Sequence, residues 1–320
     1  MKYVRLGRTD LKISQICLGG MSFGSAKWMV NSEDAKKILT KALDIGINYI
    51  DTANIYSAGE SEKIIGEFIK DNRQEFIISS KVGGKVNEKH HGFARREIEF
   101  ELNQSLMRLR SDYIDIYLAH TWFDELDTLD ILKTFNRYVE TNKIDYFGLS
   151  NIMGYQLAEI DHVAAERDLA RPQIVQNHYN SIYREDEREV IPYCIKKRVS
   201  FSAFSPLAAG FLSGKYERGI KPETIRSKEY SVMLDRYFKE NDFDVLGDII
   251  DIANEQSTTP YAISLAYILQ KNFIPVVGIS KEKHLDDVST ALELSLRDEQ
   301  IRRIEKHYLP HRLEMGTAGY

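Results

Sequence analysis

Between Ser32 and Leu43 the apolar residues fall at Ala35, Ile38, Leu39, Ala42 and Leu43, the spacing of one helix face, and Gly46 stands where a C-cap belongs. The short run Asn48-Tyr-Ile-Asp51 that follows reads as a buried strand ending in a polar turn. This step repeats. Further apolar runs begin at Ile16, Phe76, Tyr113, Tyr146, Gln173, Ser200 and Pro275, which with Tyr49 predicts eight strands. Helical spacing covers Ser32–Ile45, Glu60–Lys70, Ala94–Leu109, Leu126–Val139, Tyr155–Glu166, Glu185–Lys196, Asp244–Asn254 and Lys281–Leu292, with an extra stretch at Tyr261–Gln270. Seven of the strand runs start roughly 30 residues apart, the length of a βα unit. Ahead of them, Tyr3–Leu6 and Leu11–Ser14 flank Gly7-Arg-Thr-Asp10, a hairpin signal. The pattern predicts one domain over residues 1–320, a closed (β/α)8 TIM barrel preceded by an N-terminal β-hairpin. An open doubly wound sheet is the alternative, although no GxGxxG follows the first strand. Between Ser205 and Phe238 periodicity lapses, over a length that suggests a functional loop.

Composition removes several classes. A formal charge of −5, with basic residues scattered along the chain, gives no electrostatic reason to bind nucleic acid. No apolar run approaches the ~20 residues of a membrane span. Met1-Lys-Tyr-Val-Arg-Leu lacks a signal-peptide core, and two cysteines, Cys17 and Cys194, make no disulfide framework, so a cytoplasmic location is expected.

Barrel enzymes place their chemistry just past the C-terminal strand ends. Four polar residues stand at such positions: Asp51, Tyr56, Lys81 and His120. A phenol normally ionises near pH 10, and a neighbouring ammonium favours the phenolate. Lys81 would be that ammonium, Asp51 the counter-charge that lets it stay buried and protonated, and His120 a hydrogen-bond donor to a carbonyl oxygen. Taken singly, each has an ordinary explanation as a cap, a solvated lysine, a satisfied histidine or a packed aromatic. Their joint placement after the second, third and fourth strands favours the chemical reading.

These residues lie within a recognisable series: LGRTDLKIS, GINYIDTANIY followed by GESEKIIG, IISSKVG, SLMRLRSDYIDIYLAH, GLSN, QNHYN and FSPLAAGFLSGKY. In this order they resemble the aldo-keto reductase superfamily, especially the longer-looped branch that includes potassium-channel β subunits and many bacterial reductases. The resemblance implies an N-terminal β-hairpin cap on the barrel, NADPH-dependent carbonyl reduction and a catalytic tetrad on Asp51, Tyr56, Lys81 and His120. It also implies that Ser150, Asn151 and Gln176 hold the nicotinamide carboxamide and that Phe204 stacks on its ring. Ser205, Leu207, Gly210 and the Ser213-Gly-Lys215 turn resemble the loop over the pyrophosphate. Gly278, Ser280, His284 and Asp287 fall where the family binds the adenosine end. Here the chain departs from its relatives, with Asp287-Val288 in place of Glu-Asn and no proline before Gly278. NADP(H) is the expected cofactor, and NAD(H) stays open.

Phe23, Trp28 and Trp122 follow predicted strands and are expected to line an aromatic substrate pocket. His90 and His91 are adjacent and cannot easily converge on one ion, and no HxH or HExxH occurs, so no metal site is expected. The stretch containing Tyr183 and Arg184 has no assigned role. The leading expectation is an NADPH-dependent reductase of small aldehydes, sugar-derived or oxo-aldehydes. A nucleotide-binding regulatory or redox-sensor subunit with slow turnover is the alternative, and a metal-dependent hydrolase is a third. Oligomeric state is left open.

Overall fold

The structure is a computed structural model and describes residues 1–123, 127–220 and 236–312. Leu126, the expected start of the fourth helix, residues 221–235 of the expected loop and the end of the expected domain at 313–320 lie outside the described residues.

Strands β1 (Tyr3–Arg5) and β2 (Lys12–Ser14) pair antiparallel as the hairpin. Eight parallel strands follow: β3 (Cys17–Gly19), β4 (Tyr49–Asp51), β5 (Ile77–Val82), β6 (Ile114–Ala119), β7 (Ile144–Ser150), β8 (Ile174–His178), β9 (Ser200–Phe204) and β10 (Ile274–Gly278). Val276 of β10 pairs with Phe204 of β9 on one side and Cys17 of β3 on the other, which closes the barrel and excludes the open sheet. Outside it run α1 (Ser32–Asp44), α2 (Glu60–Ile69), α3 (Arg95–Leu109), α4 (Thr128–Glu140), α5 (Gly154–Glu166) and α6 (Val190–Lys197). They are followed by α7 (Glu240–Glu255), α8 (Pro260–Gln270), α9 (His284–Glu293) and α10 (Asp298–Glu305).

Local chemistry explains several boundaries. Asn31 and Asp127 accept the backbone N–H three residues on, capping α1 and α4, and Thr259 caps α8 just before Pro260 at its first position. The sixth helix starts later than expected because Glu185–Glu187 forms a 3-10 turn. Helix α10 is absent from the sequence expectation.

The core has two layers. One surrounds the barrel and joins strands to helices, while a smaller cluster fills its interior with Cys17, Tyr49, Ile116, Leu118 and Ile174. Leu6 and Ile13 from the hairpin complete that inner cluster, and Gly7 donates its N–H to Ser200 Oγ at 2.8 Å. At Gly7 a Cβ would lie 2.4 Å from the Gln173 carbonyl oxygen, so only glycine admits this approach. The hairpin therefore seals the end where the strands begin. The opposite mouth stays available for chemistry.

Candidate active site

Asp51 is the last residue of β4, level with Ser79 of β5, and Lys81 lies two residues further along β5, so neighbouring strands deliver the pair to the same mouth. The Lys81 Nζ donates to Asp51 Oδ2 at 2.5 Å and to the Thr52 carbonyl at 2.9 Å, and lies 3.3 Å from the Tyr56 hydroxyl. Lys81 is fully buried and Asp51 is 2% exposed, so the ion pair is desolvated. Burial pulls the Lys81 ammonium down, but Asp51 and Tyr56 together outweigh it and leave its pKa above the ordinary lysine value. The other carboxylate oxygen, Asp51 Oδ1, accepts from Ser79 Oγ at 2.7 Å and Gln176 Nε2 at 2.9 Å. Every side of this acid is thus held.

Tyr56 stands five residues past the end of β4 and opens a tight turn in which the next two residues, Ser57 and Ala58, take left-handed φ values of 50° and 53°. Its ring meets the His120 imidazole edge-on, with centroids 5.8 Å apart. His120 stands one residue past β6, its N–H bonded to the Val82 carbonyl at 2.8 Å, while its buried Nδ1 has no partner. Burial first, and the nearby Lys81 charge second, push the His120 pKa well below the usual imidazole value. The ring is held neutral and presents one donor and one acceptor nitrogen.

This has a measurable consequence for stability. Below pH ~6.5 the imidazole of the unfolded chain binds a proton that the folded His120 refuses, so its contribution to stability is present above that pH and lost as pH falls. Replacing it by asparagine should reduce the loss of unfolding free energy between pH 7.5 and 5.5 by about 1.4 kcal/mol, compared by urea denaturation at each pH. An identical pH slope in wild type and variant would overturn the neutral assignment.

Asp51, Tyr56 and His120 open into a cavity of about 510 Å³, with Lys81 directly behind. Ser150, Asn151 and Gln176, from the ends of β7 and β8, line the wall beside them. Their amide nitrogens are engaged within the protein: Asn151 Nδ2 donates to the His120 carbonyl at 2.8 Å and Gln176 Nε2 to Asp51. What this wall offers a ligand is therefore chiefly oxygen acceptors and the Ser150 hydroxyl. Phe204, at the end of the neighbouring strand β9, also lines the cavity and is backed by His178 at 5.3 Å, nearly parallel, with Tyr183 stacked behind that ring at 4.0 Å. Tyr183 thus serves as the outer leaf of a three-ring stack, while Arg184 pairs with Glu187 at 2.6 Å and Glu305 at 3.3 Å. Sequence reasoning missed His178. Its signal was the polar run that closes a buried strand, in which Gln176 and His178, two apart, share one face.

Further along, Ser205, Leu207, Gly210 and Lys215 line the cavity from the loop after β9, and Gly278, Ser280 and His284 line it after β10. Gly210 has φ 92°, and a Cβ there would lie 3.0 Å from the Lys215 Nζ. Lys215 and Arg236 make this part of the wall cationic on a chain of net charge −5, an arrangement suited to phosphates, while burial first lowers the His284 pKa and favours a neutral ring there. The acceptor wall, the Phe204 face and the cationic lining are the kinds of group an extended dinucleotide would need. Asp287 is outside the lining; its carboxylate accepts from the Thr259 hydroxyl at 2.7 Å.

Of the three expected aromatic pocket residues, Trp28 lines the cavity, together with Met21, Met29, Ile55 and Tyr237. Phe23 and Trp122 do not. Phe23 is fully buried in the outer core, and Trp122, 3% exposed, packs 6.1 Å from Phe93.

A closed parallel barrel whose mouth gathers a phenol, an ammonium, a carboxylate and an imidazole beside a long cleft defines an α/β-barrel enzyme equipped for proton transfer. The chain belongs to the aldo/keto reductase family and is an oxidoreductase: the family's sequence profile matches residues 15–309. A protein named as an aryl-alcohol dehydrogenase in Schizosaccharomyces pombe is 32% identical over 96% of this chain and 96% of its own. An aldo-keto reductase of Alternaria alternata is 31% identical, covering 96% and 91%. The versiconal hemiacetal acetate reductase of Aspergillus parasiticus is 28% identical over 99% of both chains.

Proposed function

We propose that the protein reduces small aldehydes with NADPH, Tyr56 acting as the general acid. The observation that carries this reading is the buried chain Asp51, Lys81, Tyr56, which ends at a phenol in the cavity wall beside a neutral imidazole. A bound dihydronicotinamide supplies the hydride. Ser150, Asn151 and Gln176 would hold its carboxamide and Phe204 its ring, while Lys215, Ser280 and His284 would hold phosphates. His120 donates a hydrogen bond to the carbonyl oxygen and orients it towards the Tyr56 hydroxyl. Tyr56 then passes its proton to that oxygen as negative charge develops there, and Lys81 stabilises the phenolate left behind. Asp51 keeps the ammonium charged and fixed throughout.

The substrate end of the cleft, with Trp28, Met21, Met29 and Ile55, favours an apolar or aromatic aldehyde over a sugar-derived one. The name of the aryl-alcohol dehydrogenase relative agrees with that preference. What supports NADPH over NADH is the cationic lining at Lys215 and Arg236. A cytoplasmic location is proposed with it, since Cys17 and Cys194 are both free and buried.

Titration with NADPH and NADH, followed by an aldehyde panel monitored through loss of reduced nicotinamide, tests the proposal. Tighter binding of NADPH and turnover highest on aromatic aldehydes are expected. Tight nucleotide binding with negligible turnover across the panel would replace it with the regulatory-subunit reading.

A further inference from the structure

Outside the catalytic cavity, helix α3 and the loop that precedes it gather a second group of side chains. Glu97 and Glu101 are four residues apart on α3 and so share one face. His90 reaches them from the loop between β5 and α3, and one ligand atom from each of the three lies within 4.8 Å of the others. His90 Nδ1 is 3.2 Å from Glu97 Oε1, and the imidazole is braced by stacking on Phe100 at 4.3 Å.

The surrounding charges do not balance. Glu62, Glu97 and Glu101 are all buried. Arg108 is the cation paired with them, and it sits 2.6 Å from Glu62 but 3.9 Å from Glu101. Glu62 holds that guanidinium more closely than Glu101 does, so among the described residues Glu97 and Glu101 share one partly exposed imidazole and a more distant guanidinium. Buried charges persist when they are paired or bind a metal. A second feature lies at the same spot. The carboxamide of Asn54, 1% exposed, donates to Glu101 Oε2 at 2.8 Å, and its own buried oxygen has no partner.

We propose that His90, Glu97 and Glu101, with the Asn54 carboxamide beside them, bind one divalent transition-metal ion of the zinc type. One imidazole nitrogen and two carboxylates are a donor set that suits zinc, whereas magnesium and calcium prefer oxygen alone. Tetrahedral coordination at about 2.1 Å puts ligand atoms about 3.4 Å apart, so the His90–Glu97 separation of 3.2 Å is already close to it, while a separation as wide as 4.8 Å would close by about 1.4 Å through side-chain rotation. The imidazole side chain is 33% exposed, which gives the ion an entry path. Adjacent histidines did not suggest this site in the sequence, because His91 takes no part and the other ligands come from the next helix.

The site faces the catalytic rim through two routes. It would tie the loop of residues 83–92 to α3, and a Cβ on Gly84 of that loop would lie 3.6 Å from His120 Nδ1. Asn54 precedes Tyr56 by two residues, on the segment that carries the phenol. The ion would therefore stiffen one side of the mouth without entering the cleft.

Isothermal titration of the chelator-stripped full chain with zinc chloride, paired with thermal melting, tests the site. Wild type should bind one saturable equivalent and melt higher with zinc than without. His90→Ala and Glu97→Gln should each lose that equivalent or weaken it at least about tenfold, while His91→Ala keeps it. His90 lies on a surface loop, so its variant is expected to retain the circular dichroism of the folded barrel. Absence of any saturable equivalent in wild type, or its retention at full strength in both variants, would overturn the proposal.

Discussion

Tyr56→Phe is expected to lower kcat by about 10²–10⁴-fold while leaving nucleotide affinity nearly unchanged. The substitution removes one oxygen and keeps the ring. The phenyl group still meets His120 edge-on at 5.8 Å and lies beneath Lys81 Nζ, which is 5.0 Å from the ring centroid. Lys81 retains Asp51 and the Thr52 carbonyl, so its charge stays satisfied and the cost to folding should remain within about 1 kcal/mol. Stopped-flow or steady-state loss of reduced nicotinamide measures the first effect, and quenching of protein fluorescence by added nucleotide measures the second. Wild-type turnover in the variant would show that another group delivers the proton. A matching collapse of nucleotide affinity would show instead that Tyr56 builds the binding cleft and not the chemistry.

Much of the barrel is legible because strands and helices differ in period and the chain alternates between them without interruption. The strand starts at Tyr49 and Ser200 are those observed, and other expected starts differ from the observed ones by one or two residues. Helix α10 escapes the same reasoning because Asp298–Glu305 is dominated by charge, with Ile301 and Ile304 alone as apolar markers. The turn at Ala208–Ser213 is equally hidden, since Ala209 and Gly210 leave helical geometry at φ values of 55° and 92°.

The catalytic set is legible for a different reason. Lysine inside the buried strand Ile77–Val82 and aspartate closing Tyr49–Asp51 are out of place there unless each answers the other, and they do so at 2.5 Å. Side-chain direction beyond a strand end is not encoded so simply. Phe23 and Trp122 stand as near their strands as Trp28 does, yet Phe23 is pinned by the bridge to Val30 and Trp122 turns towards Phe93. Periodicity fixes a face within an element and stops fixing it where the element stops.

Lys81→Met should be the more damaging change to the molecule as a whole, because it strips the cation from a buried pair. Asp51, 2% exposed, would keep the Ser79 hydroxyl and the Gln176 amide but lose its counter-charge. Breaking such a pair by removing one partner costs about 3–5 kcal/mol. Adding Asp51→Asn to the same chain removes the uncompensated charge, and an asparagine oxygen can still accept from both neighbours. The double variant should therefore recover much of the lost stability in urea denaturation, while turnover stays as low as in Lys81→Met, since no ammonium faces the phenol. This split separates two roles that one substitution confounds. Recovery of both stability and turnover would mean that Lys81 is present only to neutralise Asp51. Failure of the double variant to regain stability would mean that the alkyl chain and the Thr52 bond, rather than the ion pair, hold this part of the mouth together.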